Sequence, residues 1–161
     1  MAPIDFRRID VDQYDEDRLD PTTLYHPDPR PPADVLAAAQ QNDRLVRAAV
    51  QKGDLAAALQ HALEAGQCPY GEDSIPEIRQ AKSTALATVV TILNSTRSTD
   101  IPDLVGQLSS DQQLWLMKYL YKAMENLGDT NGNVVLGWHE KLTEVAGIGC
   151  IVRVMADRRR V

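Results

Sequence analysis

The sequence has few of the residues from which reactive sites are built. Of its 161 residues, one is Phe, two are Cys and three are His, and aromatics make up only 5%. Cys68 and Cys150 are too far apart to form a CxxC motif and too few for a disulfide framework. His26, His61 and His139 are scattered. His139-Glu140 begins like a zinc-protease helix, but the fifth position is Thr143 rather than His. Asp129, Asn131, Asn133 and Glu140 match positions 1, 3, 5 and 12 of a calcium loop, but Val134 occupies the sixth position, where the sharp turn needs Gly. Gly147-Ile-Gly149 lacks the third glycine of a dinucleotide loop and follows a helix rather than a strand. No GxxxxGK[ST] or GxSxG occurs. These absences point to a chain that is not an enzyme, with no catalytic residue, cofactor or metal.

Long apolar runs are also missing. No stretch of 18 apolar residues occurs, so no membrane-spanning helix is expected. The first residues carry no apolar signal core, and the second is Ala2 rather than a myristoylatable Gly. The expected compartment is the cytosol, with reduced thiols. Net charge is −6, which disfavours non-specific nucleic-acid binding. No small-molecule substrate is indicated.

What is present is a helical pattern. Hydrophobic residues make up 43% and charged residues 25%, enough to bury a core in a chain of this length. The richest stretch is 110–128. Leu114, Met117, Tyr121 and Met124 form one stripe, and Leu116, Leu120, Ala123 and Leu127 the next. The polar side narrows to Lys118, Lys122 and Glu125, within roughly 60° at about 100° per residue. A helix apolar almost all round is buried on several sides. Ser110 and Gln113 have capping-box spacing, and Gly128 suits the residue past a helix end.

Residues 1–33 read differently, as an extended acidic and proline-rich tail and linker ahead of a helical core at 34–161. Residues 1–32 hold six of the nine prolines and eight acids against four arginines. Such a segment buries too little apolar surface to fold alone. Residues 27–32 should form a stiff spacer, and Phe6, Ile9, Val11 and Tyr14 suggest an extended motif that docks on a partner.

The core reads as helix throughout. A first helix is expected at 34–51, with Asp34 as N-cap, an apolar face of Leu36, Ala39, Leu45, Val46, Ala49 and Val50, and Gly53 at its end. A second spans 54–65 between Asp54 and Gly66. A loop at 67–74 precedes a helix at 76–94, with Pro76 in its first turn. A short helix at 100–108 leads into the central one. An Asp129-to-Asn133 turn joins that to 133–146, which ends at Gly147, and to a last helix at 148–156. The count is about seven helices, paired at 34–65, 76–108 and 110–146 in the manner of helical-hairpin repeats, hence an all-α fold stacked as an α-α superhelix. The final Arg158-Arg159-Arg160-Val161 reads as a solvated basic end.

Four stretches, in order, carry a family resemblance. Leu116-Met-Lys-Tyr-Leu-Tyr-Lys122, Trp138-His-Glu-Lys141 and Gly149-Cys-Ile-Val-Arg-Val154 join residues 6–17 at the N-terminus; Gly53-Asp-Leu-Ala-Ala-Ala-Leu-Gln60 also fits. Together they resemble the 16 kDa subunit (subunit 5) family of the actin-related protein 2/3 complex. The resemblance implies a non-catalytic structural subunit of an assembly that nucleates branched actin filaments. It implies a core docked on the subunit 4 scaffold and the WD-repeat propeller subunit, and a tail that tethers actin-related protein 2. It also implies a cytoplasmic, cytoskeletal location at actin patches or the cell cortex. Candidate partner-binding residues are Phe6, Arg7, Arg8, Ile9, Val11 and Tyr14 in the tail, and Lys118, Lys122, Trp138 and Arg153 in the core. A free-standing helical-repeat adaptor is the alternative.

Overall fold

The structure, a computed structural model, describes residues 25–64, 66–125 and 131–161. Expectations for Phe6 to Tyr14, and for Leu127, Gly128 and Asp129, fall outside those residues. Among the described residues there are seven α-helices and no strand: α1 (Pro32–Gln51), α2 (Leu55–Ala62), α3 (Pro76–Ser95), α4 (Ile101–Gly106), α5 (Ser110–Glu125), α6 (Gly132–Ala146) and α7 (Gly149–Ala156).

Proline starts three of them. Pro32, Pro76 and Pro102 lie in the first turns of α1, α3 and α4, where the fixed φ suits a helix and the missing N–H is no loss. Asp34 is therefore a first-turn residue and not the N-cap: Pro31 holds that place, its carbonyl accepting the Asp34 and Val35 N–H groups at 3.0 and 3.1 Å. Asp34 still favours the helix start, where the macrodipole is positive. Asp54 caps α2 as expected, accepting the Ala57 N–H at 3.0 Å. That helix stops at Ala62, short of the expected Ala65, and the chain turns to bury Cys68.

The capping box of α5 lies one residue earlier than the spacing suggested. Ser109 N–H donates to Gln112 Oε1 at 2.9 Å, and Gln112 N–H to Ser109 Oγ at 3.3 Å. Two overlapping Ser/Gln pairs fit the same spacing. Gln113 instead donates to the carbonyls of Val105 and Leu108 across the α4–α5 turn, at 3.4 Å each.

α1, α2 and α3 pack together; α5 then packs on α3, α6 and α7, while α4 lies against α6. Residues 114–120 of α5 are all buried, as its nearly all-round apolar surface requires. The core around it holds Leu59, Leu63, Val89, Ile92, Leu93, Val135, Trp138 and Leu142. A smaller cluster of Val35, Ala39 and Ala81 joins α1 to α3, reinforced by Thr88 Oγ1 donating to Asp43 Oδ1 at 2.9 Å. Leu45, expected on the buried face of α1, is exposed; Val35 takes a buried position instead.

Candidate protein interface

The last five residues are not a solvated end. They lie back over α5 and are fixed at each step. Lys118 Nζ, in mid-helix, donates to Arg159 O at 2.6 Å and pairs with Asp157 Oδ2 at 3.0 Å. The Arg159 guanidinium folds onto the same carboxylate, Nη2 to Oδ2 at 2.6 Å. Both cations face the Trp115 indole, Lys118 Nζ 4.7 Å and the Arg159 guanidinium 5.0 Å from its ring centre. Arg158 O accepts the His26 N–H at 3.2 Å, and Arg160 O accepts the Gly71 N–H at 3.1 Å. The arginine run supplies both a backbone ladder and a lid on Trp115.

Burial pulls the Asp157 carboxyl upward, but hydrogen bonds from Arg159 and Lys118 outweigh it and hold the group well below the usual carboxylate range. Burial lowers the Lys118 ammonium, with Asp157 opposing. Burial also pushes the Cys68 thiol up to about 12, which keeps it protonated and unreactive.

The spacer expected at 27–32 is held on the core. Arg30 Nη1 donates to Gly66 O at 2.7 Å and Nη2 to Cys68 O at 3.1 Å, while its Nε holds Asp28 at 2.9 Å. Gly71, at φ +118°, lets Asp28 N approach to 3.4 Å of where a Cβ would sit. Lys82 Nζ donates to Gly71 O at 2.6 Å and pairs with Asp73 at 2.8 Å. Linker, loop and C-terminal segment thus form one continuous strap across the face of α5.

Two of the four core candidates are internal. Trp138 is fully buried, its Nε1 donating to Leu93 O at 3.4 Å, a carbonyl in the last turn of α3 that its own helix leaves without a partner. Its side chain belongs to the core and takes no part in the exposed surface. Lys118 is likewise buried and committed to Asp157 and Arg159. Its place on the narrow polar sector misled because the charge that balances it comes from past the last helix. Trp115 belongs to the same sector and was missed for the same reason. Lys122 and Arg153 do reach the surface, Lys122 paired with Glu125 at 2.8 Å and Arg153 donating to Ser110 Oγ at 2.6 Å.

An unpartnered apolar face lies next to Arg153. Ile148, the N-cap of α7, and Val152 and Met155 within it, at helical spacing, are 74, 59 and 82% exposed. Val145, in the last turn of α6, is exposed as well; Leu136 is also exposed but, nine residues earlier, points to the opposite side of that helix and does not belong to this face. Apolar side chains that a monomer leaves in water at such spacing mark a surface for another protein. Asn131 is occupied as the cap of α6, accepting the Asn133 N–H at 3.1 Å. Among the described residues no cluster of three or more His, Cys, Asp or Glu could hold a metal, and no helix is long and apolar enough to cross a membrane.

An all-helical body with an apolar face of this kind is of the protein-binding class. Residues 5–161 match the family model described as ARP2/3 complex 16 kDa subunit (p16-Arc). Actin-related protein 2/3 complex subunit 5-C of Xenopus laevis is 32% identical over 158 residues, covering 97% of this chain and 94% of that protein. Subunit 5 of Saccharomyces cerevisiae is 33% identical over 158 residues, covering 98% of each. The human subunit 5-like protein is 30% identical over 157 residues, with 97 and 94% covered. The chain belongs to the ARP2/3 complex 16 kDa subunit (p16-Arc) family.

Proposed function

We propose that this chain is a non-catalytic structural subunit of the actin-related protein 2/3 complex, working in the cytoplasmic actin cytoskeleton at patches or the cell cortex. The observation that carries the reading is the family match across nearly the whole chain. The exposed apolar stripe of Ile148, Val152 and Met155 supports it, because a subunit needs such a surface and a monomer does not. The core docks on the subunit 4 scaffold and the WD-repeat propeller subunit through this face. Burying Ile148, Val152 and Met155 at such a contact contributes at most roughly 1.5–3 kcal/mol per side chain, before the cost of association is set against it.

The tail tethers actin-related protein 2. Phe6, Ile9, Val11 and Tyr14 fill its grooves, Arg7 and Arg8 pair with its acids, and backbone hydrogen bonds along the extended segment add affinity. Once the core is docked, the linker raises the local concentration of the motif, so weak docking suffices.

Pull-down of the tagged chain from its own cytosol, with mass spectrometry of what accompanies it, tests the assignment. Two actin-related proteins and a propeller subunit in equal amounts are expected. Recovery of a stable monomer alone would sink the reading in favour of a free-standing helical adaptor. For the tail, Phe6→Ala with Tyr14→Ala should leave assembly intact, loosen actin-related protein 2 and slow branching. Unchanged branching at equal subunit occupancy removes the tether.

A further inference from the structure

A groove of about 270 Å³ opens beside the C-terminal strap, between Tyr25 and α5. Its walls carry five cationic side chains, Lys118, Lys122, Arg158, Arg159 and Arg160, against two carboxylate side chains, Glu125 and Asp157, with Val161 beside them. This is a local excess of positive side chains in a chain of net charge −6. Lys118 and Arg159 are spent on Asp157, and Lys122 on Glu125. Arg160 is different. Its guanidinium lies 5.6 Å from the centre of the Tyr25 ring, and no carboxylate among the described residues pairs with it.

Tyr25 is also where the tail joins the core. The sequence just ahead of it, Asp15-Glu-Asp-Arg-Leu-Asp20, holds four acids and one arginine. Asp20 lies within about 17 Å of Tyr25 even on a fully extended chain, and Asp15 within about 35 Å. Chain length thus keeps the acids within reach of the groove, and a short linker gives an effective concentration of the order of millimolar.

We propose that the acidic stretch 15–20 of this same chain docks in that groove, its carboxylates meeting Arg160 within the positive field of the groove wall. The contact is a second, intramolecular anchor for the tail. It fixes the direction in which residues 6–14 leave the core, whatever they bind, and so stands or falls separately from the tether to actin-related protein 2. Its chemistry is exposed charge pairing, so it weakens as salt shortens the Debye length from about 10 Å at 0.1 M to about 3 Å at 1 M.

The test is backbone NMR relaxation on the full chain. At low salt, residues 15–20 should show order parameters near the value of about 0.85 for ordered backbone, falling below about 0.6 in 1 M salt. Arg160→Gln, which keeps the backbone bond from Gly71, should produce the same loss at low salt. So should neutralising the tail as Asp15→Asn, Glu16→Gln, Asp17→Asn and Asp20→Asn, with matching shifts in the amides of Lys122 and Arg160. Order parameters already below about 0.6 in the unmodified chain at low salt would overturn the proposal. So would high values indifferent to salt and to both variants. Saturable shifts of the groove amides by a separate acidic peptide, with the chain's own tail intact, would also overturn it, because the groove would then be open to another occupant.

Discussion

Lys118, in the middle of the central helix, and Asp157, just past the last one, meet at 3.0 Å with both side chains largely withdrawn from water. The pair does what neither helix could do alone. It offsets an ammonium buried in a run of apolar residues, and the same carboxylate oxygen holds Arg159 against the Trp115 ring. Because each partner satisfies the other's charge, removing one is worse than removing both.

Asp157→Ala should therefore destabilise the chain by about 3 kcal/mol, since it leaves Lys118 buried without a counter-charge. Lys118→Met in the same background should recover much of that loss, because Met fills similar volume without a charge. Urea unfolding of the two single variants and the double variant measures the coupling. Simple additivity of the two losses would show that the pair does not act as a unit.

The same carboxylate gives a pH dependence. Its folded value lies well below the unfolded value of about 3.9, so its contribution is fully present above about pH 4 and is lost as pH falls toward the folded value. Asp28 and Asp73 are also lowered: burial raises Asp28 but Arg30 outweighs it, and the hydrogen bond from Lys82 dominates at Asp73. Stability should therefore fall steeply below pH 4. In Asp157→Asn the slope of stability against pH over that range should be shallower by about one proton's worth.

Helix order and the all-round burial of residues 114–120 could be read from periodicity, because a pattern apolar on every side has one packing solution. The ends at Gly53 and Gly147 could be read too, since both glycines adopt positive φ just past a helix. The strap could not. Arg158, Arg159 and Arg160 carry no local signal of being tied down, and the partners that order them, Lys118, Gly71 and His26, are distant in sequence. Trp138 stands at helical spacing with Val135 and Leu142, a stripe that reads as core, beside a polar His139-Glu140-Lys141 run that reads as contact; the structure buries its side chain fully and hands its Nε1 to Leu93 O.

Gly147 sits at φ +73° with nothing within 4 Å of a built Cβ. Gly147→Ala should therefore cost about 1–3 kcal/mol, because φ +73° with ψ 170° is backbone that essentially only glycine adopts, with no side-chain clash to relieve. Gly53, at φ +79° and equally open, should also lose stability under Gly53→Ala. Thermal unfolding would show a decrement at each site. A loss well beyond that range at Gly147 would mean that the α6–α7 corner carries packing that the open Cβ site does not suggest.

The buried and exposed halves of the C-terminal helices should separate cleanly by mutation. Trp138→Phe keeps most of the ring volume but leaves Leu93 O without its donor, so it should cost about 1–2 kcal/mol of stability and leave partner capture unchanged once folded chain is matched. Val152→Asp with Met155→Asp changes side chains that are 59 and 82% exposed, and should shift stability by no more than about 0.5 kcal/mol per site. On an interface the same change places two carboxylates in an apolar contact without partners. The double variant should therefore unfold almost normally yet fail to co-purify with the partner subunits. Normal co-purification by Val152→Asp/Met155→Asp would move the interface away from α7, to the exposed Leu45 side of α1.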